Sequence, residues 1–145
     1  MKRTLALSLL ACTLAVPAFA RDTELKLPFE DVLQMPEAKE KLDGSVKFYL
    51  AGQKTPRILE KKGEDISNKK TNGVGKDDEV ACRWAVLSAL VAFQDKAKSL
   101  GANAVVDIVS YYKRNTFSSP TEYECHAGGM IVGIALKGTY AKIPS

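Results

Sequence analysis

The longest stretch of helical spacing runs from Asp77 to Gly101, DDEVACRWAVLSALVAFQDKAKSLG. Cys82, Val86, Ala89, Leu90, Phe93, Ala97 and Leu100 recur mostly at steps of three and four, which puts them on one face of a helix. Trp84, Leu87 and Val91 widen that face, so the helix is expected to be covered on more than one side. Asp77 and Asp78 suit the N-cap, and Glu79 places negative charge where the helix dipole favours it. Lys96 and Lys98 fall in the last turns. Gly101 is placed to adopt the left-handed conformation that ends a helix.

After the helix the period changes to two. Asn103 to Tyr112 reads as a strand that is partly apolar on both faces. From Thr121 to Ala127, Tyr123, Cys125 and Ala127 face one way, and Glu122, Glu124 and His126 the other. Gly128-Gly129 is a hairpin turn. Met130 to Tyr140 is the last strand, with Met130, Val132, Ile134 and Leu136 on its core face. Gly133 and Gly138 signal a bulge or a close approach of backbone.

Before the helix, Ser45 to Ala51 alternates around Val46, Phe48 and Leu50 and reads as a half-buried strand. Pro28 opens a short helical turn, Pro36 ends or kinks it, Glu37 to Leu42 reads as a second turn, and Asp43-Gly44 is a turn signal. Arg21 to Leu27 reads as a loosely held polar leader. Gly52 to Lys76 is a long, lysine-rich connection, read as a mobile surface loop in preference to a binding loop, with a short edge strand around Pro56 to Lys62. The pattern therefore predicts an α+β fold. An antiparallel sheet of about four strands packs on one central amphipathic helix, with N-terminal helical turns over 21–44 and a single domain over 45–145.

The first twenty residues change the compartment. Lys2-Arg3 precedes an apolar run from Leu5 to Val16, and Ala18-Phe19-Ala20 has the small-x-small form of a signal-peptidase site. Export to a periplasm with cleavage after Ala20 is expected, which leaves no stable membrane anchor. Leu9-Leu10-Ala11-Cys12 offers a second reading, lipidation at Cys12, but the apolar run before it is short and the later site favours removal. Without the signal the net charge falls from +4 to +2, too weak an excess for a nucleic-acid partner. Two cysteines remain, Cys82 and Cys125. An even count in an exported chain, with both residues on apolar faces by independent periodicities, predicts a disulfide between helix and sheet.

Candidate chemistry is sparse. Gly73-Val74-Gly75-Lys76 hints at a phosphate loop, but Lys70 stands where the first glycine is needed and Asp77 where a Ser or Thr is needed. No cofactor is expected. His126 is the only histidine, and no nucleophile elbow accompanies it, so no enzyme is expected. Glu122, Glu124 and His126 line one strand face and form the candidate ligand set for zinc or copper. Alternate residues on a strand stand about 7 Å apart, too far for all three to meet one ion, so a solvated strand face is the expectation. Tyr111, Tyr112, Tyr123 and Trp84 offer a binding surface, but aromatic residues at such positions are more often core or cross-strand pairs.

Several short runs carry a resemblance. Asn68 to Asn72 (NKKTN), Ala81-Cys82, Gly101-Ala102-Asn103-Ala104-Val105-Val106, Ser110-Tyr111-Tyr112, Tyr123-Glu124-Cys125 and Leu136-Lys137-Gly138 resemble a family of small exported Gram-negative proteins. Its members often carry the label "excinuclease ATPase subunit". The resemblance spans about residues 45–142 and matches both cysteines. The label implies DNA repair and ATP hydrolysis, whereas this chain has neither a P-loop nor zinc-finger cysteines. The junction at Gly101 to Val106 is more distantly similar to YbjQ-like proteins, named as heavy-metal binders, and to the RcsF envelope-stress lipoprotein, which implies a helix-on-sheet fold. The expected function is a periplasmic, non-enzymatic binding or interaction module whose partner is an envelope protein or a small ligand. The alternative is a metal-binding or envelope-stress protein.

Overall fold

The computed structural model describes Cys12 and residues 21–145. The export signal therefore lies outside the described residues, except for Cys12, which is exposed. Among the described residues, no helix is long and apolar enough to cross a membrane.

The expected helix is α3, Asp78–Ser99. Asp77 takes the N-cap position, but its side chain makes no capping bond. Gly101 has φ +70°, the left-handed stop that glycine adopts without strain. Ala81, Cys82, Ala85, Val86, Ala89, Leu90, Phe93 and Ala97 are all buried. The four small alanines let the helix lie close to the sheet. Its other flank is covered by two short helices, α1 (Phe29–Leu33) and α2 (Pro36–Lys41). There the buried Gln94 side chain accepts the Asp43 N–H at 3.0 Å and donates to the Lys41 carbonyl at 3.1 Å, closing the end of α2 onto α3.

The sheet has six strands: β1 Asp22–Pro28, β2 Lys47–Leu50, β3 Glu60–Asn72, β4 Ala104–Ser110, β5 Glu122–Gly128 and β6 Ile131–Lys142. The twelve-residue β6 is its spine. One edge of β6 pairs with β3 along its length. The other pairs first with β5 and then with β4, and these carry β1 and β2 outward. All pairs are antiparallel except β2 with β4.

Three expectations are corrected here. The sheet has six strands rather than about four, and one pair is parallel. The supposed leader is β1, paired residue for residue with β5 from Asp22 opposite Gly128 to Pro28 opposite Glu122. The supposed loop contains β3, a thirteen-residue edge strand on which only Ser67 is buried. Backbone pairing to β6 holds β3, and its lysines and the break in register between Lys61 and Glu64 guard its open edge against further pairing.

α3 lies chiefly across β6 and β3. Phe93 meets Tyr140 edge-on at 6.0 Å between ring centres. Cys82 and Cys125 are joined, with Cα atoms 6.0 Å apart and both residues fully buried, so the expected bond ties α3 to β5. On the opposite sheet face a smaller core of Ala104, Val106, Ala141 and Ile143 is closed by Tyr49 and Ile58. Asn103 fixes this end of the chain: its side chain accepts the Ile143 N–H at 2.8 Å and donates to the Ile143 carbonyl at 2.9 Å. Gly138 sits where a Cβ would come within 2.7 Å of Val105, which accounts for that glycine by close approach.

Candidate functional site

The sheet face away from α3 carries the chemistry. In an antiparallel pair, residues directly opposite share a face and stand closer than alternate residues on one strand. Glu24 on β1 lies opposite His126 on β5, which lies opposite Gly133 on β6, which lies opposite Lys70 on β3. One row across four strands therefore holds an acid, an imidazole, a gap and a base.

The gap is filled by Tyr112. The chain leaves β4 at Ser110, whose hydroxyl accepts the Glu124 N–H at 2.9 Å. Tyr111 then donates its N–H to Ala135 on β6. Tyr112 follows and lies over Gly133, where a Cβ would meet its ring at 3.3 Å. Its ring stacks on His126 with centres 3.8 Å apart and planes 11° from parallel. The Lys113 ammonium sits 5.6 Å from the centre of the same ring, within cation–π reach. Lys113 and Arg114 both have positive φ, +50° and +65°. Two successive non-glycine residues in that region cost about 1–2 kcal/mol each, so the loop holds Tyr112 in place at some expense in strain.

His126 has a carboxylate at each ring nitrogen. Nδ1 lies 3.2 Å from Asp22 Oδ1, and Nε2 lies 2.5 Å from Glu124 Oε1. Glu124 is a buried carboxylate. Glu24 stands beside this pair with its oxygen 3.0 Å from the Lys26 ammonium, and that hydrogen bond holds the Lys26 pKa above its ordinary value. Lys26 in turn lies 4.8 Å over the Phe117 ring. One ligand atom each from Glu24, Glu124 and His126 falls within 4.8 Å of the others.

Of the candidate ligand set Glu122, Glu124 and His126, which strand spacing alone keeps apart, Glu124 and His126 come together. Glu122 does not; it lies at the far end of the β1–β5 pair, opposite Pro28. Its place is taken by Glu24, which could not be found while Arg21 to Leu27 was read as a loose leader. The signal was the alternation of Asp22, Glu24 and Lys26 with Thr23, Leu25 and Leu27, which has a strand's period but little apolar weight. The face is also less solvated than expected: Glu124 is buried and the Tyr112 ring covers His126.

Beside the Tyr112–His126 stack opens a groove of about 690 Å³, with Arg21, Asp22, Lys70, Lys113, Gly128, Ile131 and Gly133 on its walls. Arg21 is committed to Asp78, and Asp22 to His126. Among the described residues, neither Lys70 nor Lys113 has a carboxylate partner.

The other candidates lie elsewhere. Tyr123 is in the core, where burial pushes its phenol pKa well up and its hydroxyl has no hydrogen-bond partner. Trp84 is half-buried on α3, at the rim of a hollow shared with α1 and α2. Gly73 to Lys76 is the turn between β3 and α3, with Asp77, Asp78 and Glu79 at the helix entrance behind it. No protein-family model matches the chain. Nor does any curated protein match it in sequence.

Proposed function

We propose that the protein is an exported, non-enzymatic binding module that takes a small organic anion into the groove beside Tyr112 and His126. The observation that carries this reading is the pair of lysines, Lys70 and Lys113, that have no carboxylate partner among the described residues and stand on the walls of a concave site of ligand size. Ile131, half-exposed on the groove wall, offers apolar contact for the ligand's carbon skeleton. His126 spends both ring nitrogens on carboxylates, which leaves it no nucleophile to activate and favours binding over catalysis. Export is supported by the leader sequence and by the Cys82–Cys125 bond, which persists in an oxidising compartment. We take the resemblance to the proteins labelled excinuclease subunits as kinship in fold and compartment, without their named activity.

The test is calorimetric titration with a panel of small carboxylates and phosphate monoesters. Binding of at least one member is expected at one molecule per chain and should weaken with salt. The double variant Lys70→Gln, Lys113→Gln should bind it about tenfold more weakly, as removal of two partly screened ion pairs implies. If no panel member binds, or the double variant binds as well as the parent, the reading fails.

A further inference from the structure

We propose that Glu24, Glu124 and His126 form a binding site for a divalent first-row transition-metal ion, adjoining the anion groove through His126 and held by side chains of two neighbouring strands. The ligand atoms are one imidazole nitrogen and two carboxylate oxygens, the donor set that suits zinc and its first-row neighbours. A tetrahedral ion with bonds of about 2.0–2.2 Å needs its ligand atoms about 3.3 Å apart. The three atoms here lie within 4.8 Å of one another, so closing on an ion takes roughly an ångström of side-chain movement. Glu24 can supply that movement, because its side chain is half-exposed.

Two features set this cluster apart from an ordinary acidic patch. The first is the orientation of His126. Its Nδ1 faces Asp22, so an Nδ1–H donated to that carboxylate orients the ring, and Nε2, which is hydrogen-bonded to Glu124 in the metal-free protein, would exchange that bond for the ion. A histidine oriented by a carboxylate at its far nitrogen is the usual arrangement behind a metal-bound imidazole. Tyr112 stacked on the ring and the pairing of β5 between β1 and β6 fix its plane before any ion arrives. The second is Lys26. Its ammonium bonds the Glu24 oxygen that an ion would claim, and the Phe117 ring gives it an alternative resting place. The lysine occupies the position of a cation beside Glu24, and it would swing aside when the ion binds.

The experiment is calorimetric titration of the purified protein with Zn²⁺ alone, with Co²⁺ absorption as a second readout. One ion per chain is expected. Glu24→Gln and Glu124→Gln should each weaken it at least tenfold, and Lys26→Met should tighten it. Glu24 is not on the groove wall and bonds no residue of it, so Glu24→Gln should bind the groove's anion as the parent does. If the buried Glu124 variant does not fold, the exposed Glu24 variant and Lys26→Met still decide the matter. Absence of Zn²⁺ binding, or Zn²⁺ binding indifferent to Glu24→Gln, overturns the metal site while the groove reading stands or falls on its own titration.

Discussion

Replacing Cys82 and Cys125 together with alanine should lower stability by about 4 kcal/mol. The two cysteines are 43 residues apart, and the chain-entropy relation for a loop of that length gives close to that figure at 25 °C. Both residues are fully buried, so truncation adds a small cavity cost. Alanine is preferred to serine because a buried, unpartnered hydroxyl would add about 1–3 kcal/mol unrelated to the bond. The effect lies mainly in the unfolded chain, which the bond keeps compact. The double variant should therefore unfold at lower urea with a steeper denaturant dependence. The bond also joins α3 to β5, whereas the helix otherwise rests on β6 and β3, so hydrogen exchange in β5 and its partner β1 should rise most. The assay is urea unfolding of parent and variant, followed by Trp84 fluorescence, with thiol labelling of the unfolded, unreduced parent as a control. A loss below about 1 kcal/mol, or two reactive thiols at 82 and 125 in the parent, would refute the reasoning.

Tyr123→Phe removes a buried hydroxyl without a partner and should leave stability unchanged or raise it by about 1 kcal/mol, read from the same urea curves. Tyr140→Phe should instead cost about 1–2 kcal/mol, because its hydroxyl donates to Asp65 at 2.7 Å. Burial first, and for Tyr140 the Asp65 bond as well, push both phenol pKa values up from the ordinary 10. Since the folded values lie above the unfolded ones, the stability involved is intact below about pH 10 and is lost as pH rises beyond it. Unfolding midpoints measured between pH 8 and 11.5 should fall over the upper part of that range, less steeply in either Phe variant. Gly138→Ala brings a Cβ to 2.7 Å from Val105 and 3.1 Å from Ile108, two stiff β-branched side chains, and should cost about 1–3 kcal/mol in thermal unfolding.

Much of the core was legible because its periodicities are strong. The buried face of α3, the glycine stop at Gly101 and the inward set Tyr123, Cys125 and Ala127 follow from spacing alone, and so does the pairing of the two cysteines. β3 was hidden because a polar edge strand has no apolar alternation to read. Its inner positions are Asp65, Ser67, Lys69 and Thr71, and what holds it is backbone pairing to β6. β1 was hidden because Leu25 and Leu27 are only half-buried. Missing β1 had a cost at the site, since strand spacing alone offered Glu122 as a third ligand where cross-strand pairing supplies Glu24. Lys70 illustrates the same limit. In sequence it stood out only as the residue that spoils a phosphate loop, and its place on the groove wall depends on β3 lying against β6 opposite Gly133.

The central claim, that the groove beside Tyr112 and His126 is the working site, is tested most directly by ¹⁵N–¹H NMR of the protein titrated with the tightest-binding anion of the panel. The backbone amides of Lys70, Tyr112, Lys113, Gly128 and Gly133 should shift together and saturate along one binding curve, with the rest of the sheet unmoved. Shifts confined to the hollow between α1 and α3, or spread without saturation over surface lysines such as Lys47, Lys61 and Lys98, would contradict it.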